Sequence, residues 1–292
     1  MDTLKEIVGQ MKDANVGNVT EISPFRSVED NEPYQVWRVE SDLGVFVLKK
    51  AKNFELEIYS TFFSEDVGGA PRFIASVNYN GDDYFLMEYA CGKDLCRCDR
   101  ESLIKVLDAL IEIQNKYWED RSHESVGYNF EKSLESRKKR GEYLNGDAIE
   151  AAYFEYLSLY QDLPKTLCHD DFLPFNVLAN ESGATIIDWE FAGILPYPTS
   201  LTRLIAHTEE QEDTLFYMSR KDKAFAIEYY YEKLIKNKGI AYQDYRHTLD
   251  LFLLYEYCEW IMLGNKYDDT DKELYKKYLE KATEHLKNIN KY

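Results

Sequence analysis

The segment LCHDDFLPFNVLANESGATIIDWE, residues 167–190, decides how this chain is read. It sets His169, Asp170 and Asp171 ahead of a turn, then Asn176, then Asp188 at the end of an apolar run. Asp171 and Asn176 stand in a D-x-x-x-x-N spacing, and two short strands are expected around them. Oxygen donors gathered in this way suit magnesium, which takes a few oxygen ligands and keeps waters. Phosphoryl transfer asks for little covalent chemistry. It needs a carboxylate to accept the proton of the acceptor hydroxyl, and oxygens to hold magnesium across the phosphates. Asp171 suits the first task, and Asn176 and Asp188 the second. Taken alone, the same letters also fit a solvated turn.

The elements upstream favour a site. GVFVLKKA (44–51) is a β-branched, buried strand with Lys49 near its end, and NFELEIYSTFFS (53–64) has helical spacing with Glu55 and Glu57 in its first turn. A buried lysine and a buried carboxylate stabilise one another, and the lysine can then hold α and β phosphates. The order lysine, glutamate, His-Asp-Asp, asparagine, aspartate is hard to reconcile with scattered surface charges.

The rest of the chain divides in two. Residues 1–18 predict an amphipathic helix ending near Gly17. NVTEISPFRSV, PYQVWRVES, GVFVLKKA and the two halves of APRFIASVNYNGDDYFLMEYA predict strands, the last two joined by an NGDD turn. After Gly92 the pattern turns helical: RESLIKVLDALIEIQNKYW with Asp99 as N-cap, GDAIEAAYFEYLSLYQ, and nearly everything from Thr199 onward. The reading is α+β, with a small β-rich lobe at 1–92 and a larger helical lobe at 93–292. The joint lies near MEYACGKDL, and ligand sites prefer such junctions.

Composition narrows the partners. The 292 residues carry a formal net charge of −18. Such a surface repels nucleic acid and anionic membrane and favours cationic small molecules. Five scattered cysteines fit a reducing compartment, and no run is long enough to cross a bilayer, so a cytoplasmic protein is expected. The helix LDLFLLYEYCEWIMLG (249–264) is apolar nearly all round but interrupted by Glu256 and Glu259. Buried carboxylates need a partner. Either Arg203 or Arg246 meets them, or they form a pocket with Trp260 and neighbouring tyrosines for a substrate ammonium. The acidic run EEQED, starting at Glu209, reads as a solvated helix end or loop.

These motifs resemble the aminoglycoside phosphotransferase and choline kinase family, small-molecule kinases with a protein-kinase-like fold. The resemblance runs over nearly the whole chain and is carried by VFVLKK, FELEIYSTF, APRFIASV, YFLMEYACGKDL, HDDFLPFNVL and IIDWEFAG. It implies Asp171 as catalytic base, Asn176 and Asp188 as Mg2+ ligands, and Lys49 on the phosphates of ATP or GTP. It favours Glu55 over Glu57 as the lysine's partner, and implies that backbone groups of Glu88, Tyr89 and Ala90 hold the purine. The acceptor is expected to be a hydroxyl of an aminoglycoside-, choline- or amino-alcohol-like molecule. Three places depart from the family's pattern. Asp170 replaces a glycine, PFRSVEDNEPY (24–34) lacks glycine, and Ser200 stands where relatives often carry an aspartate bracing the catalytic loop. Two other readings compete: a catalytically weak nucleotide-binding protein on the same fold, and a metal-dependent hydrolase using His169, Asp170, Asp171 and Asp188.

Overall fold

A computed structural model describes residues 2–11, 14–26, 31–145 and 148–289. The first part is an antiparallel sheet of five strands: β1 (Val19–Arg26), β2 (Pro33–Ser41), β3 (Gly44–Lys50), β4 (Phe73–Tyr79) and β5 (Asp82–Glu88). Their order is β1-β2-β3-β5-β4. Successive side chains of a strand point to opposite faces. On β3 this puts Leu48 into a core with Ile7 and Val8 of helix α1 (Asp2–Gln10), while Val47 and Lys49 face a cleft. Helix α1 ends at Gln10, short of the expected Gly17, because Met11 and Val16 reach the same core from irregular backbone. Helix α2 (Glu55–Phe62) crosses beside the sheet and buries Glu55, Ile58, Tyr59 and Phe62.

The chain leaves the sheet through residues 89–98. Gly92 is required there: a Cβ on it would lie 2.7 Å from the Ala179 carbonyl oxygen, where Lys93 and Ala179 pair backbone to backbone. Three helices follow: α3 (Arg100–Lys116), α4 (Phe130–Gly141) and α5 (Ala148–Asp162). Asp99 caps α3 by accepting from the Ser102 amide, as its sequence position predicts.

Two small hairpins then carry the decisive segment. Strand β6 (Lys165–His169) pairs with β9 (Ala192–Pro196), and β7 (Val177–Ala179) pairs with β8 (Ala184–Ile186). A 3-10 turn, Pro174–Asn176, enters β7. Helices α6 (Thr199–Ala206), α7 (Arg220–Lys233), α8 (Tyr242–Tyr267) and α9 (Glu273–Ile289) complete the chain. Helix α8 packs Phe252 and Tyr255 on Tyr156 of α5, with ring centroids 4.9 and 4.8 Å apart.

One expectation changes, and one helix went unforeseen. Glu209 is not solvated: Lys277 and Lys281 of α9 hold its carboxylate at 2.7 and 2.8 Å. Helix α4 has no apolar stripe by which to predict it, because the side chains it buries include Ser133 and Arg137. All five cysteines are free. Among the described residues, no helix is long and apolar enough to cross a membrane.

Candidate active site

A cleft of about 600 Å³ opens between the five-stranded sheet and the β7–β8 hairpin. Val36, Val47 and Met87 line it from the sheet, Leu178 and Ile187 from the hairpin, and Glu88, Tyr89 and Ala90 along the connecting edge. That edge is tied down. The Glu88 amide donates to the Arg72 carbonyl at 3.0 Å, and the Arg72 guanidinium returns to the Glu88 carboxylate at 2.9 Å.

At the inner end the Lys49 ammonium donates to Glu55 Oε1 at 2.5 Å and to Asp188 Oδ1 at 2.6 Å. Glu55, not Glu57, is therefore the lysine's partner; Glu57 Oε2 accepts from the Gly127 amide at 3.1 Å. Burial pulls the Lys49 pKa down, but Glu55 and Asp188 outweigh it and hold it above the ordinary lysine value. Burial lifts the Glu55 carboxyl above its ordinary range, with Lys49 opposing. Asp188 is also lifted by burial, but Lys49 and its hydrogen bond prevail and leave it below the ordinary value. Asp188 sits just past β8 with φ +65°, a left-handed conformation that costs a non-glycine residue about 1–3 kcal/mol and tends to occur where function fixes a side chain.

The turn between β6 and β7 is held from beneath. His169 is fully buried, and burial keeps its ring neutral by lowering its pKa. Nε2 lies 2.9 Å from the Ile187 carbonyl, and Nδ1 accepts from the Asp171 amide at 3.3 Å. Since Nδ1 accepts, Nε2 carries the hydrogen. The Ser200 hydroxyl accepts from the His169 amide at 2.9 Å, so a neutral group of α6 braces this loop. Asn176 Nδ2 donates to the Asp171 carbonyl at 2.9 Å, which leaves Oδ1 as its remaining polar end where Asn176 lines the cleft. The Asp171 carboxylate is partly exposed and accepts from Arg203 Nη2 at 3.2 Å.

The structure settles what the other carboxylates do. Asp170 turns inward and pairs with Arg137 Nη2 of α4 at 2.7 Å. With both His169 nitrogens on backbone and Asp170 on arginine, the set His169, Asp170, Asp171 and Asp188 is not assembled as a metal-hydrolase site. Glu256 and Glu259 of α8 meet Arg203 at 2.9 and 2.6 Å, and Glu259 also meets Arg140 at 2.8 Å. The ammonium pocket expected at Glu256, Glu259 and Trp260 rested on carboxylates without a protein cation; arginines supply those cations. Trp260 packs against Tyr278 of α9, ring centroids 5.9 Å apart. In the glycine-free loop, residues 27–30 lie outside the described residues. Sequence reading missed Arg137, Arg140, Lys52 and Glu190, the last two lining the cleft. For Glu190 the signal was present, two positions after Asp188 in IIDWE.

A β-rich sheet over a helical lobe, with a lysine–glutamate pair facing an Asp–Asn turn and a strand-end aspartate, defines the class of small-molecule phosphotransferases with a kinase-like fold. The model of the phosphotransferase enzyme family matches residues 21–232, and the chain belongs to that family. None of the curated proteins matches the sequence. Among solved structures, choline kinase LicA from Streptococcus pneumoniae is similar with a TM-score of 0.59 and 13% identity, over 98% of this chain and 99% of that one. An aminoglycoside phosphotransferase from Alicyclobacillus acidocaldarius subsp. acidocaldarius gives 0.62 and 14%, over 98% and 95%. The amicoumacin kinase hAmiN, solved with AMP-PNP, Ca2+ and Ami, gives 0.58 and 12%, over 98% and 92%. At these identities the likeness is one of fold.

Proposed function

We propose that this protein transfers the γ-phosphoryl group of ATP or GTP to a hydroxyl of a small molecule, with Mg2+. The observation that carries the reading is the Lys49 ammonium held between Glu55 and Asp188 at the inner end of an apolar-walled cleft. A purine fits between Val36, Val47 and Met87 above and Leu178 and Ile187 below, with backbone groups of Glu88, Tyr89 and Ala90 at its edge. Lys49 then reaches the phosphates as a compact point charge.

Asn176 and Asp188 present hard oxygens on the cleft wall and would hold the magnesium, whose charge neutralises the transferring phosphoryl group. Asp171, on the loop braced by His169 and Ser200, accepts the proton of the attacking hydroxyl. Residues 1–92 act as the nucleotide lobe and residues 93–292 as the catalytic and acceptor lobe. Because arginines already satisfy Glu256 and Glu259, the acceptor need not be a cation; Glu259 and Trp260 remain candidates for contact by packing and hydrogen bonding rather than by charge.

The test is calorimetric titration with ATP and GTP, with and without Mg2+, followed by radiolabel transfer to a panel of aminoglycosides, amino alcohols, choline-like amines and neutral sugars. Micromolar-range binding that strengthens with Mg2+, and a labelled product, are expected. Binding without transfer to any hydroxyl or to water would make the protein a nucleotide-binding module instead.

A further inference from the structure

We propose that Arg203 is a positioning residue for Asp171, aimed by a seat on α8; this rests on Asp171 being the base. The guanidinium joins four groups from three parts of the chain. Its Nη1 lies 2.9 Å from Glu256 Oε2, 2.6 Å from Glu259 Oε2 and 2.9 Å from His207 Nε2. Its Nη2 reaches Asp171 Oδ1 at 3.2 Å.

His207, Glu256 and Glu259 bring their ligand atoms within 4.8 Å of one another, a grouping that could hold a metal ion. Here the Arg203 Nη1 lies within 2.9 Å of an atom of each, its two N–H groups serving the two carboxylates, so the cation of this cluster is the guanidinium itself. A planar fork differs from a metal or a lysine in having direction: fixing Nη1 fixes where Nη2 points. The second arm is directed at one oxygen of Asp171. Among the described residues Arg203 is the side chain that meets the Asp171 carboxylate, and it meets Oδ1. Oδ2 is left to take a proton, while the rotation that would carry it away from the acceptor is restrained.

The arrangement also has a cost that stability alone does not explain. Arg203 Nε is buried without a hydrogen-bond partner among the described residues, and an unmade buried bond is unfavourable. Two carboxylates of α8 and the His207 ring just past α6 are thus gathered around an arm whose far end is the loop of the proposed base, not around full satisfaction of the arginine.

Arg203→Lys separates positioning from simple charge balance. A lysine keeps one positive charge beside Glu256 and Glu259 and so keeps the fold, but one ammonium on a flexible stem cannot serve both ends. The probe is Mg·ATP with water as acceptor, read as phosphate release, on wild type, Arg203→Lys, Asp171→Asn and the double variant. Arg203→Lys is expected to lower kcat about tenfold or more, since small misplacements of a reacting group are costly. KM for ATP should stay within about twofold, and with Asp171→Asn already in place the further loss should fall below about twofold. An unchanged kcat, or the same loss in both backgrounds, overturns the proposal. Asp171→Asn as fast as wild type instead overturns the assignment of the base. If Arg203→Lys fails to fold, Glu259→Gln loosens the seat at a more exposed point; a drop in kcat that disappears beside Asp171→Asn supports the proposal, and full retention of kcat rejects it.

Discussion

Arg137 Nη2 of α4 lies 2.7 Å from Asp170 Oδ1, and this pair fastens the segment before Asp171 to the helical interior. The guanidinium is almost fully buried. It lies over the rings of Tyr160 and Tyr255, 4.9 and 4.6 Å from their centroids, and also donates to Tyr156 and Ser133. Burial lifts the Asp170 carboxyl above its ordinary range, and Arg137 pulls it partway back. Removing one member of such a pair leaves an uncompensated buried charge. Arg137→Met should therefore destabilise the fold by about 3–5 kcal/mol in urea unfolding. Adding Asp170→Asn to it should recover part of that loss. A cost below about 1 kcal/mol for Arg137→Met alone would show the pair to be unimportant to the fold.

Asp171→Asn should lower turnover by about 10²- to 10⁴-fold, the usual loss for a general base. Nucleotide affinity should survive, because Lys49, the edge at Glu88–Ala90 and the proposed metal ligands are untouched. Single-turnover transfer and calorimetry on the same preparation check both halves. Near-normal turnover at matched Mg2+ sinks the role.

Asp188→Ala should weaken Mg·ATP binding far more than metal-free ATP binding. On the proposed reading the hard cation would lose its anionic ligand, while Lys49 keeps Glu55 as a partner. Titrations with and without Mg2+ decide it, and equal losses in the two would make Asp188 a structural partner of Lys49 only.

Glu256 makes stability depend on acid. Burial alone would raise its pKa, but Arg203 and His207 outweigh it and hold it at about 2, against an ordinary value of 4.5. A carboxylate depressed in the folded state contributes stability that is full above the unfolded value and is lost as pH falls toward the folded one. The contribution, on the order of 3 kcal/mol, should disappear between about pH 4.5 and pH 2. Denaturant unfolding across that window should give a shallower slope for Glu256→Gln than for wild type. Coincident slopes would assign the acid sensitivity to other carboxylates.

Much of this was legible in the chain, and for physical reasons. Strand alternation around Lys49, the Asp99 cap and the NGDD turn are local signals, and they placed the sheet and α3. The order of Lys49, Glu55, Asp171, Asn176 and Asp188 was visible because each sits at the end of an element, where backbone geometry fixes it. What stayed hidden was pairing at long range. Whether Glu256 meets Arg203 or Arg246 depends on how α6 packs on α8, and no periodicity reports that. Helix α4 was invisible for a related reason: it buries charge through Arg137 rather than an apolar stripe, so hydrophobic spacing had nothing to detect.

Trp189 gives the molecule an optical reporter of its own. The indole is fully buried, donates to the Ile186 carbonyl at 2.8 Å, and lies 4.9 Å from the His169 ring and 4.8 Å from Phe63. It follows Asp188 directly and touches the imidazole that supports Asp171. Any shift of either flank on ligation alters the surroundings of this one fluorophore. The emission difference between wild type and Trp189→Phe would thus follow events at the cleft without a dye, a label or a known acceptor.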